Sequence, residues 1–447
     1  MGSVNIILLL CIIVFVAIFL LRVLVLLHRA GLKCGKGDGI IFGRWAGIPI
    51  YSPAKGEGHI AVFGGSGSGK TTALLIPALQ SWPGSSFTID ISGDISSNVD
   101  CPNKLVYEPG AANSSPYDIF SRIDALDDED EVDEALAQLA ILVMPDQQGA
   151  TSNSKYFQDG GRSILTAALI AFYHLGFDFC DICTQIIDSD YRSLFTRIDE
   201  ANIVNASRYI AQFVGNSEQN ISGCKQNCDD SIKLFVINKT IRNSIRRPKE
   251  GEVAFSPVAI EDHNVFVLIP DEKLELYAPL LHIITAQCLS YFSGRPAEAK
   301  KPILFALDEF ASLGDLEIRG ALRKLRKKHI RIMMLTQSLA DIEDVYGAAT
   351  YRSMLSNFTY KVVLNVGETD TQEYFAKLIG DTVREKTSTT FSNSGWLMGE
   401  KSKTVTPEKD YAIQPADLAR LRKKLVLLHP DGMLLLKKNY YFKKHII

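Results

Sequence analysis

A chain of 447 residues, 46% hydrophobic and 22% charged, can bury a large core and hold two or three domains, which excludes a disordered or fibrous protein. Its 48 Lys and Arg against 51 Asp and Glu leave a formal net charge of −3, so contact with a polyanion must come from local clusters.

Asn5 to Leu21 carry no charge, and after Arg22 the apolar run resumes through Leu27. A stretch of roughly 20 apolar residues crosses a bilayer as a helix, so one transmembrane segment is predicted at about 5–27. Arg22, Arg29, Lys33 and Lys36 follow it rather than precede it, unlike a cleaved signal peptide. The same bias places the bulk of the protein in the cytoplasm, at the inner membrane. In that reducing compartment the eight cysteines do not form a disulfide framework. Cys180 and Cys183 form a CxxC, and Cys224 and Cys228 lie one helical turn apart. Four thiolates could in principle hold zinc, but neither pair is flanked by the turn glycines of a zinc knuckle and buried free cysteine is common, so no metal beyond a nucleotide-bound Mg²⁺ is expected.

The Gly-rich stretch Gly35 to Gly47 reads as a connector, with anchor and connector together spanning 1–38 and a globular α/β part beginning at 39. HIAVFG, GSGSGKTT, ALLIPALQSW and SFTIDIS give strand, Gly-rich turn, helix and strand, the start of a mostly parallel sheet. Eight acidic residues then fall between Asp124 and Glu134, and the helical period dominates to about Pro248. The reading is an inserted all-α domain over 123–255, splitting a nucleotide-binding domain into 39–122 and 256–447. Strand signals return at NVFVLIP, PILFALDEF, HIRIMMLTQS and YKVVLNVG and complete the sheet.

Gly64-Gly65-Ser66-Gly67-Ser68-Gly69-Lys70-Thr71 matches GxxxxGK[ST] between a short apolar strand and a helix. Backbone N–H groups there curl around phosphate oxygens, Lys70 reaches the β and γ phosphates, and Thr71 can ligate Mg²⁺, with Thr72 beside it. ATP and Mg²⁺ are the cofactors expected. Phosphoryl transfer also needs a carboxylate on the metal and a group that orients water, commonly at a strand end. Ile303 to Glu309 supplies both, Asp308 on the metal side and Glu309 as general base. Gln337, at the tip of the strand Ile330 to Leu335, is placed to sense the γ-phosphate, against the plainer reading of a strand-end turn residue.

Two basic clusters follow. From Asp315 to Arg331 there are seven Lys and Arg against Asp315 and Glu317, and Ile318, Leu322 and Leu325 give the segment an apolar stripe with Arg319, Arg323 and Arg326 or Lys327 on another face. That face is either solvated or in contact with phosphates. Ala416 to Ile447 holds eight Lys and Arg against two Asp, without the aromatic ladder that stacks single-stranded bases; its apolar strands read as the end of the sheet.

HIAVFGGSGSGKTT, Asp90 to Asp94, LDEFASLG, LTQSLADIEDVYG and LVLLHPDGMLLLKKNYY together resemble the type IV coupling proteins, the TraG/TraD-like ATPases of conjugation and type IV secretion. The resemblance implies a RecA-like domain, an inserted all-α domain, a membrane anchor and a hexameric working form. It implies an ATPase that drives DNA, single-stranded with its relaxase, or protein effectors toward the secretion channel. It also implies that a basic residue about one strand before Gln337 completes the neighbouring subunit's site, and Arg326 aligns best with it. The family often has two membrane segments where one is read here, and often Lys or Asn where Ser92 stands. Two rivals remain: a cargo receptor whose ATPase only gates assembly, and a DNA partitioning or packaging motor of the same superfamily.

Overall fold

A computed structural model describes residues 2–146, 151–296, 298–299, 301–316, 318–391 and 401–443. Glu317 of the first basic cluster and residues 444–447 of the second lie outside the described residues. The strands, in chain order, are β1 (Lys33–Cys34), β2 (Gly39–Trp45), β3 (Ile48–Pro53), β4 (His59–Phe63), β5 (Ser85–Asp90), β6 (Lys104–Tyr107) and β7 (Asn264–Leu268). They continue with β8 (Ile303–Leu307), β9 (Ile330–Thr336), β10 (Phe358–Val363), β11 (Asp381–Phe391), β12 (Lys401–Tyr411), β13 (Lys424–His429) and β14 (Gly432–Lys437). Two compact units divide the chain: Met1–Pro83, Glu309–Ala311 and Met333–Ile447 form the first, Gly84–Asp308 and Ser312–Ile332 the second.

The first unit begins with helix α1 (Gly2–Arg29), apolar and long enough from Leu8 to Arg29 to cross a membrane. Its end is fastened to the sheet. Leu27, Ala30 and Leu32 are buried, the Tyr360 hydroxyl donates to Ala30 O at 2.9 Å, and β1 pairs with β3 just beyond. The strands follow in the order β1-β3-β2-β14-β13-β10-β4-β9. Pairing is parallel where β10, β4 and β9 meet and antiparallel from β13 outward. The sheet is therefore less uniformly parallel than the sequence suggested, because the last two strands return as a tight hairpin through Pro430-Asp431.

The supposed connector is also a strand. Ile40, Ile41 and Phe42 are buried, a burial worth roughly 1.5–3 kcal/mol for each such side chain, and that gain outweighs the coil tendency of the surrounding glycines. A separate antiparallel ribbon, β11 with β12, belongs to the same unit.

The second unit carries the parallel strands β8-β5-β7-β6, the first three buried along most of their length and β6 only at Tyr107. Between Glu129 and Ser244 its described regular structure is helical. That segment leaves and rejoins the strands at one place: Tyr117 N donates to Ser244 O (2.7 Å), Asp118 N to Phe255 O (2.9 Å) and Phe255 N to Pro116 O (2.8 Å). Arg247 clamps the junction. Its guanidinium donates to both Asp124 oxygens (2.8 Å each) and to Asp178 (3.0 Å) while lying over the Phe120 ring. Cys180, Cys183, Cys224 and Cys228 are buried among these helices, and burial pushes the Cys180 thiol up to about 12, so it stays protonated. Among the described residues no three His, Cys, Asp or Glu side chains are grouped to hold a metal ion.

Candidate nucleotide-binding site

The phosphate loop hangs from the middle of the first unit's parallel strands. β4 is hydrogen-bonded on both sides, and the pairing runs on into the loop: Gly64 N donates to Thr336 O (3.2 Å) and Gly65 N to Asn365 O (2.8 Å). Gly64 must be glycine, since a Cβ there would stand 2.5 Å from Ser68 Oγ and 3.0 Å from Leu364 Cβ. At Gly69 the requirement is conformational, with φ at +91°, where a side chain would be strained. The helix that follows opens wide, in π register over Thr71–Leu75, before Ile76–Gln80 becomes α. Pro77 lacks the N–H that would close an α turn onto Ala73. Lys70 and Thr71 stand in the first turn, where backbone N–H groups lack helical acceptors and suit an anion.

Lys70 is buried at 6% exposure, its Nζ donating to Gly64 O at 2.8 Å and standing 3.3 Å from Glu309 Oε1. Gln337 Nε2 donates to the other carboxylate oxygen at 3.4 Å. The three residues that sequence reasoning assigned to phosphate, water and sensing are thus side by side in one unit. Glu309 reaches this position with φ at +43°, a left-handed conformation that costs an L-residue roughly 1–2 kcal/mol and that clusters at functional sites. Ser68 Oγ is buried and has no hydrogen-bond partner among the described residues. An orphaned hydroxyl inside a loop of N–H donors fits a phosphate oxygen. Asp308, the residue after β8, is counted with the second unit and is 4% exposed.

The basic segment divides. Ile318, Leu322 and Leu325 are buried, while Arg319, Arg323, Arg326 and Lys327 are exposed along Ile318–Lys324 and the 3₁₀ turn Leu325–Lys328. Arg331 is not part of that surface, since it lies in β9 at 1% exposure. Arg326 belongs to the second unit.

Sequence reasoning missed the back of the loop. Lys438 Nζ donates to Ser68 O at 2.7 Å, Tyr441 N donates to Thr72 O at 3.1 Å, and Tyr440 borders Gly69. These contacts span about 370 positions in the chain and leave no local periodicity to read.

Strand, glycine loop, helix and an acidic residue beside the loop lysine define a RecA-like P-loop protein. The chain belongs to the type IV secretory system conjugative DNA transfer family, whose model matches residues 31–447. It is 23% identical over 411 residues to the conjugal transfer protein TraG of Agrobacterium fabrum, covering 84% of this chain and 59% of TraG. Against VirD4 of the same organism it is 23% identical over 429 residues, covering 92% of this chain and 63% of VirD4. It thus spans about three fifths of the length of these curated relatives. In fold it resembles the bacterial conjugative coupling protein TrwBΔN70, with TM-score 0.70, 17% identity and coverage of 94% and 93% of the two chains. A structure of TrwB in complex with ADP and Mg²⁺ gives a TM-score of 0.69 at 18% identity, covering 91% of this chain and 89% of that one.

Proposed function

We propose that the protein is the coupling ATPase of a type IV secretion or conjugation system, hydrolysing ATP to drive DNA, or protein effectors, toward the export channel. The observation that carries this reading is the cluster of Lys70, Glu309 and Gln337 against a phosphate loop with an orphaned Ser68 hydroxyl. Gly64 to Thr72 would hold the triphosphate, and Thr71 and Asp308 the Mg²⁺, which supplies charge neutralisation when bound. Lys70 leaves Glu309 for the phosphates, which frees the carboxylate to orient a water and take its proton. Gln337, already hydrogen-bonded to Glu309, reports the presence of the γ-phosphate to that base. Arg326 completes the site of an adjacent subunit in a homo-hexamer. Residues 123–255 form an inserted all-α domain, for which the adjacent entry and exit points at Tyr117, Ser244 and Phe255 speak. The helix α1 anchors the chain in the cytoplasmic membrane, with channel components, relaxase and effectors as partners.

The test is Mg–ATP hydrolysis by the whole chain in detergent, with and without single-stranded DNA. Hydrolysis stimulated several-fold by DNA is expected. Absence of hydrolysis under both conditions overturns the reading. Cargo protein binding with hydrolysis indifferent to DNA favours a receptor whose ATPase gates assembly.

A further inference from the structure

We infer that Lys438 is a positioning residue for the phosphate loop, holding the Ser68–Gly69 peptide with its carbonyl outward so that the Gly69 N–H faces bound polyphosphate. The inference deepens the nucleotide reading above and rests on it. Lys438 follows β14 directly and is buried at 7% exposure. Its ammonium donates to Ser68 O at 2.7 Å and to Arg422 O at 3.1 Å, while its own N–H donates to Lys423 O at 3.0 Å. A trans peptide is planar with its C=O and N–H opposed, so a cation that captures the Ser68 carbonyl on the outer side of the loop also directs the next N–H inward. The bond is charge-assisted, stronger than a neutral one, and polarises that N–H further.

The neighbouring residues keep Lys438 in register. Asn439 Oδ1 accepts from Arg44 Nε at 2.9 Å, tying the segment to β2. A Cβ at Gly69 would touch the Tyr440 ring at 3.5 Å, and Tyr441 N donates to Thr72 O at 3.1 Å. Residues 438, 440 and 441 thus track residues 68, 69 and 72 along the outside of the loop.

Two features separate this lysine from an ordinary structural one. Among the described residues no carboxylate lies within ion-pair distance of it. Burial alone pulls its pKa down to about 8. A buried cation with only carbonyl partners, against a loop built of N–H donors, adds uncompensated positive potential where a polyanion would sit.

The test compares Mg–ATP with inorganic tripolyphosphate, which has no base or sugar, on the full chain in detergent. Lys438→Met, with its similar length and no charge, should raise KM for Mg–ATP and weaken tripolyphosphate binding by the same factor, about tenfold, with kcat changed less than about threefold. Lys438→Gln, which can still donate to a carbonyl, should fall between. Equal affinities in a folded Lys438→Met overturn the inference, as does a loss confined to kcat. Should Lys438→Met fail to fold, wild-type affinity in Lys438→Gln together with a lowered melting temperature returns the residue to a purely structural role. If the unaltered chain binds neither ATP nor tripolyphosphate, the nucleotide reading itself fails.

Discussion

Three arginines of the second unit and three lysines of the first are held in opposite ways. The arginines are matched to carboxylates. Arg247 has Asp124 and Asp178, Arg246 has Glu252, and Arg295, 3% exposed along its side chain, is bidentate with Glu261 at 2.8 and 3.0 Å. The lysines lean on backbone carbonyls: Lys70 on Gly64 O, Lys438 on Ser68 O and Arg422 O, and Lys361 on Phe358 O. Glu309 stands 3.3 Å from Lys70, and it sits in a strained backbone conformation. A matched pair spends its charge internally and specifies structure; a cation held by carbonyls keeps its charge available to an arriving anion. These arginines are therefore expected to govern folding, and these lysines to govern binding.

The largest effects that would break this contrast lie in the phosphate loop. Lys70→Ala and Glu309→Gln should each lower ATP turnover at least about 10³-fold while the melting temperature moves little, because both act on phosphate or water rather than on the core. Turnover near wild type in either variant refutes the assignment. Arg326→Ala should also lose about 10³-fold in turnover yet still bind nucleotide. Mixing it with Lys70→Ala subunits should restore some activity through hybrid interfaces. Normal hydrolysis by Arg326→Ala would return that residue to a solvated surface.

Arg247→Met sharpens the comparison from the other side. It leaves Asp124 and Asp178 facing one another at the junction of the helical segment, and should cost about 2–3 kcal/mol of stability, read by denaturant unfolding, with turnover per folded molecule unchanged. The smallest effect concerns Asp118 at the same junction. Burial, with Asp124 nearby, raises its carboxyl to about 6. The folded protein thus holds this proton more tightly than the unfolded chain between about pH 4 and 6, so the Asp118 contribution falls as pH rises through that window. Asp118→Asn should flatten this slope and, at pH 7, stabilise by about 1 kcal/mol. An unchanged pH profile of the melting temperature counts against the shift.

The site was legible in the sequence where chemistry is local. A glycine loop between strand and helix, and two acids at a strand end, are set by spacing alone, and Lys70, Glu309 and Gln337 do come together. What escaped was fixed by distant pairing. The strand Gly39–Trp45 is hidden by its glycines, and its edge is completed by β14 almost 400 residues later. The backbone twist of Glu309, the burial of Arg331 and the contact of Lys438 with Ser68 arise from packing that no short window records. The helical character of 129–244 was readable from its period; the clamp that closes its ends, Arg247 with Asp124 and Asp178, was not.

The fastening of α1 to the sheet has a mechanical meaning. Leu27, Ala30 and Leu32 are embedded, Tyr360 of β10 holds the carbonyl of Ala30, and β10 pairs directly with β4, the strand that leads into the phosphate loop. The end of the helix is thus joined to the loop-bearing strand through two hydrogen-bonded steps, and a rotation imposed on α1 is expected to be felt at the phosphate loop.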